Sequence, residues 1–199
     1  MGKQRGGNPA GRQSSRNIGR ERNWGLIIAV AAVVAVLSIF VVVVVVDLTS
    51  GGSSGPPSGV EEFEVQQGHT EEPVSYKQDP PAGGEHNPVW QNSGFYDDPV
   101  RNENAVHTQE HGAVWITYQP DLPQGQKDRI REVVSGQDCV IASPYPGLDA
   151  PVVASAWGLQ LRLDGADDPD LERFIRSYRV GPQTPEPGAA CTGGVGQPS

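Results

Sequence analysis

The stretch NAVHTQEHGAVWITYQP, residues 104–120, decides the fold, because a helix pattern changes into a strand pattern within it. Asn104 is a residue type that caps helices and Gly112 is a type that ends them, so the sequence predicts a short helix at Ala105–His111. The residues that follow, Ala113–Tyr118, are aromatic and β-branched, which predicts a strand. A helix that leads directly into a buried strand indicates a small domain that contains both helices and strands.

The rest of the folded region carries further helix and strand patterns. Ile130, Val133 and Val134 share one helical face, and apolar residues recur at helical spacing after residue 170. The predicted helices are Gln124–Ser135 and Leu171–Tyr178, and the predicted strands are Cys139–Ala142 and one within Val152–Leu163. The order α-β-α-β-β-α predicts a small α+β domain. The region from 60 to 101 is rich in Pro, Gly and Asn, so irregular loops are expected there.

An apolar segment near the start of the chain predicts one transmembrane helix at residues 24–46. No charged residue occurs from Gly25 through Val46, a run of 22 residues, and a span needs about 20. A cleaved signal peptide is the alternative, but its apolar region is only about 7–15 residues long. Six cations and one anion precede residue 24, which places the N-terminus in the cytoplasm by the positive-inside rule.

This topology predicts the organisation of the whole chain. The predicted parts are a basic cytoplasmic tail at 1–23, the span at 24–46, a flexible linker at 47–60, an exported α+β domain at 61–181 and a Pro/Gly-rich tail at 182–199. From residue 24 onward there are nine cations and 23 anions, so this part repels nucleic acid and anionic lipid. The expected location is the cell membrane, single-pass, with the domain extracytoplasmic and the bilayer as its partner.

The two cysteines, Cys139 and Cys191, both follow the predicted span. Exported cysteines tend to pair, so a bridge between the tail and a core strand is expected. One buried thiol and one free tail thiol is the alternative.

The four histidines suggest a metal site. His107 and His111 stand at i and i+4, which places them on one face of the predicted helix, about 5–6 Å apart at Cβ. His86 is the preferred third ligand, His69 a fourth, and Glu110 either ligates or orients a histidine. Nitrogen and oxygen donors suit a divalent ion such as zinc or copper. The alternative is that these histidines join a hydrogen-bonded loop network; the partners considered for it are Asp97, Asp98 and Asn104.

Residues 107–111, HTQEH, match H-x-x-E-H, a zinc-protease motif. That motif belongs on a long helix in a large domain, whereas Gly112 and a strand follow at once here. No catalytic residues are therefore assigned, and an enzyme would need a metal with a position open to solvent.

Five motifs together resemble a bacterial family of membrane-anchored proteins, catalogued as domain of unknown function 3105. They are His86-Asn87-Pro88-x-Trp90, Gly94-x-Tyr96-Asp97, Val106-His107-Thr108-x-Glu110-His111-Gly112, Ser143-Pro144-Tyr145-Pro146 and Ala156-Trp157-Gly158. The resemblance covers about residues 60–188, and Gln109 stands where many members carry leucine. It implies the layout of basic tail, single span and exported domain, but it implies no activity.

Two functional hypotheses follow from the sequence. The first is a membrane-tethered extracytoplasmic domain that binds a metal ion through histidines. The second is a cell-envelope protein-interaction module that has neither metal nor catalysis.

Overall fold

The computed structural model describes residues 2, 25, 28–29, 32–39, 41 and 55–199. The chain divides into two compact units, Met1–Gly52 and Ser53–Ser199. In the first unit the described residues between 25 and 41 are helical. Much of the predicted span at 24–46, and most of the linker, lie outside the described residues. Among the residues that are described, no helix is both long and apolar enough to cross a membrane.

The second unit is built on one six-stranded sheet. Its strands are β1 (Glu61–Glu62), β2 (Gly94–Phe95), β3 (Val114–Tyr118), β4 (Val140–Pro144), β5 (Val152–Ala156) and β6 (Leu159–Leu163), and their order in the sheet is β1-β6-β5-β3-β4-β2. β2, β4 and β3 are parallel neighbours, whereas β3, β5, β6 and β1 pair antiparallel. The predicted α+β class is confirmed.

Three helices accompany the sheet: α1 (Asn102–Glu110), α2 (Gln124–Val134) and α3 (Pro169–Tyr178). The parallel strands β3 and β4 are joined through α2, because a parallel connection needs a crossover segment. Asp168 directly precedes α3, and its carboxylate accepts a hydrogen bond from the backbone N–H of Asp170 at 2.9 Å. This is the usual side-chain cap of a helix N-terminus.

One face of the sheet is apolar and lies under α2 and α3. On β3, Val114, Ile116 and Tyr118 point to this face, as the two-residue period of a strand requires. Ile130 of α2 and Phe174 of α3 pack on it, and neither is accessible to solvent. This cluster is the main hydrophobic core.

The opposite face of the sheet has fewer apolar side chains and many buried polar groups. Trp115 lies here against Ala105 of α1 and Ile141 of β4. The Trp115 indole N–H donates to the hydroxyl of Ser143 at 3.0 Å, and both residues are fully buried. The carboxamide of Gln160 donates to the carbonyl oxygen of Pro80 at 2.9 Å. Loops from the 60–101 region therefore cover this face through hydrogen bonds.

Two local predictions were wrong. Asn104 does not cap α1, because the helix begins at Asn102 and the Asn104 amide instead donates to the carbonyl oxygen of Val89 at 2.5 Å. The segment Val152–Leu163 forms two strands rather than one. Trp157 and Gly158 make the turn between them, and Gly158 has a φ of +71°, a left-handed conformation that glycine adopts at low cost.

The segment 182–199 packs against the sheet domain. Cys139 and Cys191 form a disulfide bond, so the predicted bridge is confirmed. Val195 exchanges backbone hydrogen bonds with the 90–92 region: its N–H donates to Trp90 at 2.9 Å, and its carbonyl oxygen accepts from Asn92 at 2.9 Å. This segment thereby fixes the loop that precedes β2.

Candidate metal centre

Helix α1 supplies two side chains to the centre. His107 and Glu110 are three residues apart, which places them on one side of the helix. Every residue from Glu103 through Glu110 is buried, because α1 lies between the polar face of the sheet and the covering loops. Both side chains are therefore held in a dry environment.

An irregular segment supplies the other two side chains. His69 and His86 form an isolated parallel β-bridge. The N–H of Thr70 donates to the carbonyl oxygen of His86 at 2.8 Å, and the N–H of His86 donates to Gly68 at 2.9 Å. This short pairing brings two histidines that are 17 positions apart in the sequence to the same place.

The four side chains converge. His69, His86, His107 and Glu110 each offer one ligand atom, and these atoms lie within 4.8 Å of one another. The ring centroids of the three histidines are 4.8–5.0 Å apart in each pair. The four residues are close enough to hold a metal ion.

Two of the rings have a fixed orientation. The Nδ1 atom of His86 lies 2.7 Å from the carbonyl oxygen of Gly84, and the Nδ1 atom of His107 lies 2.6 Å from that of Asn87. A carbonyl oxygen can only accept a hydrogen bond, so each Nδ1 carries the proton and donates it. In the neutral ring the Nε2 atom then holds a lone pair, which is the arrangement that second-sphere carbonyls impose on metal-binding histidines.

Glu110 brings a carboxylate oxygen against one of these nitrogens. Its Oε1 atom accepts a hydrogen bond from the side-chain amide of Gln67 at 2.9 Å. Its Oε2 atom lies 2.9 Å from the Nε2 atom of His86, and the two side chains are 3% and 0% exposed. Neither atom has a hydrogen-bond partner, although both are buried. These two atoms therefore face each other away from solvent.

The environment keeps His107 uncharged. Burial, with a smaller contribution from the neighbouring histidines, lowers the pKa of His107 from its usual value to about 4, although the hydrogen bond to Asn87 acts in the opposite direction. The ring is consequently neutral at pH 7 and offers its lone pair rather than a positive charge.

His111, predicted as a ligand, lies outside the group of four. Its ring contacts that of His107, with centroids 4.5 Å apart, but its Nδ1 atom donates to the carbonyl oxygen of Ala190 at 2.6 Å. Its Nε2 atom faces Glu186, 3.8 Å away. The segment just before Cys191 therefore contacts both ring nitrogens of His111, and neither belongs to the group of four.

The alternative hydrogen-bond network takes a different form from the one predicted. Asp97 pairs with Arg131 at 3.1 Å, on the side of the sheet that carries α2. The histidine rings bond backbone carbonyls instead. Gly84 and Asn87 were not predicted as supporting residues, since a backbone carbonyl that orients a ring leaves no signal in residue type. Gln67 was missed because its side-chain contact joins it to Glu110, 43 positions away.

Fold and donor set together define an α+β domain with three histidines and one glutamate gathered on the polar face of its sheet. The chain belongs to the protein family of unknown function DUF3105, whose model matches residues 68–193. That range contains all four residues of the cluster and both cysteines. Comparison with curated proteins gave no match, and comparison with solved structures gave none.

Proposed function

We propose that this protein is a membrane-tethered extracytoplasmic domain that binds one divalent metal ion through His69, His86, His107 and Glu110. The ion is zinc or copper(II), because three imidazole nitrogens and one carboxylate oxygen suit these metals. Thiolate ligation is excluded at this place, since both cysteines are joined in the disulfide.

The contact between His86 and Glu110 carries the proposal. Nε2 of His86 and Oε2 of Glu110 lie 2.9 Å apart and are buried without another hydrogen-bond partner. A buried polar atom that lacks a partner costs about 1–3 kcal/mol, so two acceptor atoms in contact need a positive charge between them. A proton supplies it as an ion pair of the two residues, and a metal ion supplies it while also binding His69 and His107, which a proton does not engage.

The spacing of the donors supports an ion of this size. Bonds of about 2.0–2.1 Å in a tetrahedral centre separate neighbouring donor atoms by about 3.3 Å. In the cluster Nε2 of His86 and Oε2 of Glu110 are 2.9 Å apart, and all four ligand atoms lie within 4.8 Å of one another. Small rotations of the side chains, above all of the exposed His69, bring the four donors to bonding distance.

Membrane tethering rests on the sequence. The uncharged run from Gly25 through Val46 is 22 residues long and follows a segment with six cations and one anion. These features support a single span with the domain outside the cytoplasm. The disulfide between Cys139 and Cys191 suits an oxidising compartment. In cells, the protein should remain in the membrane pellet after a carbonate wash; recovery of a shortened soluble form would contradict the anchor.

Metal analysis of the full-length protein tests the binding site. The chain is purified in detergent with a histidine-free tag, stripped with a chelator, incubated with zinc or copper and freed of excess ion. Elemental analysis should then find about one ion per chain. A chain that retains no ion, at protein concentrations far above any physiological Kd, would contradict the proposal and favour the protein-interaction module.

Two variants of one helix make a matched comparison. His107→Ala should lose the ion, whereas His111→Ala should keep it. Both histidines are buried, 5% and 4% exposed, and both donate Nδ1 to a backbone carbonyl. Only His107 belongs to the group of four, so equal metal contents in the two variants would exclude this ligand set.

A further inference from the structure

The four candidate ligands differ in how firmly they are held. His86, His107 and Glu110 are 0%, 5% and 2% exposed, whereas the side chain of His69 is 52% exposed. His86 and His107 each donate Nδ1 to a carbonyl, and Glu110 accepts from Gln67. Within residues 55–199, by contrast, no hydrogen bond holds the ring of His69.

The distance of its ring from Glu110, like its exposure, places His69 at the outer side of the cluster. Its Nε2 atom lies 3.9 Å from Oε2 of Glu110, an ångström farther than the corresponding atom of His86. Its backbone is nonetheless fixed beside His86 by the β-bridge. The side chain thus stands next to the centre but is free to turn into solvent.

Building on the proposed metal centre, we infer that His69 is a replaceable ligand, and that a neutral nitrogen donor of the imidazole class can take its position. Three preorganised donors hold the ion, and the fourth position opens when His69 turns outward. Closed structural zinc sites have four fixed protein ligands, whereas a site with three fixed ligands accepts an external one. The centre is therefore an exchange site: when His69 turns outward, an ion or an external ligand can enter or leave at the position that His69 occupied.

Local charge favours a neutral ligand over an anion. Glu71 and Glu72 directly follow the His69-Thr70 pair, and Glu85 lies close to Gly68: a Cβ atom at that glycine would be 3.3 Å from the Glu85 side chain. Arg101, which donates to the Glu71 backbone carbonyl at 3.1 Å, is itself paired with Glu103. The three exposed carboxylates of this segment therefore leave a negative charge that repels incoming anions and attracts cations. An imidazole, which is uncharged above its pKa, meets no such repulsion.

Cobalt(II) provides the test, because its visible spectrum changes with its ligands. The full-length wild-type chain, His69→Ala and His111→Ala are loaded with cobalt and titrated with imidazole and, separately, with azide. His69→Ala should retain about one ion and weaken cobalt affinity at most about a hundredfold, the range for lost supporting groups. Imidazole should shift its spectrum saturably, with azide needing a higher concentration, and His111→Ala should behave as wild type.

Each alternative result has a distinct meaning. If His69→Ala loses cobalt while wild type keeps it, His69 is a required ligand and the inference fails, although the metal centre stands. Retained cobalt with a spectrum that imidazole does not change also overturns it, and azide binding as tightly as imidazole overturns the preference for neutral donors. If wild type binds no cobalt, the proposed function itself fails. His69→Gln, compared by circular dichroism, guards against misfolding of the alanine variant.

Discussion

The two faces of the central sheet are buried by different means. On the face under α2 and α3, apolar side chains such as Ile116 and Phe174 meet in one continuous core. On the other face, Trp115, Thr117 and Gln160 are just as inaccessible, but hydrogen bonds to side chains and to backbone carbonyls of strands and loops hold them. Apolar packing tolerates irregular contacts, whereas buried polar groups need partners in defined positions.

This difference separates the residues that stabilise the domain from those that position the four clustered side chains. The apolar face supplies stability without directional requirements, so it can be covered by regular helices. The polar face requires that each loop follow one path, and the same paths bring His69 and His86 to the helix that carries His107 and Glu110. The following experiments separate the two faces, beginning with the largest expected effect.

Phe174→Ala tests the apolar face. Phe174 is fully buried against the strands, so its truncation should lower the free energy of unfolding by about 3–5 kcal/mol. Guanidinium unfolding followed by tryptophan fluorescence measures this, and metal content should not change. Arg176→Ala on the exposed side of the same helix should stay within about 0.5 kcal/mol. Loss of metal in a folded Phe174→Ala chain would show that the faces are not independent.

Zinc-dependent stability tests the polar face. An ion that binds only the folded chain should add about 2.7 kcal/mol to the free energy of unfolding at a hundredfold excess over Kd. His86→Ala should abolish this increment, because it removes the buried nitrogen beside Glu110. His111→Ala should preserve it. Each variant is its own reference, with and without zinc, so differences in baseline stability cancel; a full increment in His86→Ala would refute the assignment.

Substitutions at two adjacent residues of β6 allow a direct comparison of the two faces. Gln160 points to the polar face and donates to Pro80 and Ser155 at 2.9 and 3.0 Å, whereas Leu161 points to the apolar core. Gln160→Met should cost about 2 kcal/mol, since it leaves the Pro80 carbonyl oxygen without its partner. Leu161→Met, which conserves volume, should cost less than about 1.5 kcal/mol. The reverse order in chemical unfolding would remove the distinction between the faces.

Helix ends give the smallest effect. α3 on the apolar face has a side-chain cap at Asp168, whereas α1 has no side-chain cap bond. Asp168→Ala should destabilise the domain by about 1 kcal/mol in thermal unfolding. Asp167→Ala, an exposed neighbour of the same chemistry, should change stability by no more than about 0.5 kcal/mol. Equal effects would mean that the cap does not stabilise α3.

The elements of the apolar face were predictable because their pattern is local. The spacing of Ile130, Val133 and Val134 defines α2 within two turns, and all three are buried. The β5–β6 hairpin was missed because Trp157-Gly158 lacks the Asn-Gly or Asp-Gly signal of tight turns. β1 and β2, with two residues each, are too short to show any period.

The candidate site was predictable only in part. The spacing of His107 and Glu110 on a helix is a local feature, and all four clustered residues were among the five predicted ligands. The sequence does not rank His111 below His69, because the orientation of His111 depends on Ala190, 79 positions away. Nor could it place the β-bridge that joins His69 to His86, since such pairings depend on long-range contacts.

The contact between Val195 and the 90–92 region has a consequence for the timing of maturation. A ribosome synthesises Trp90 long before Val195, so the loop beside His107 remains without its backbone partners during most of translation. A nascent chain that ends before Cys191 can contain every helix and strand of the domain, but it lacks the disulfide that holds the C-terminal segment. If the proposed centre binds an ion, nascent chains should therefore acquire it late, after the sheet has formed.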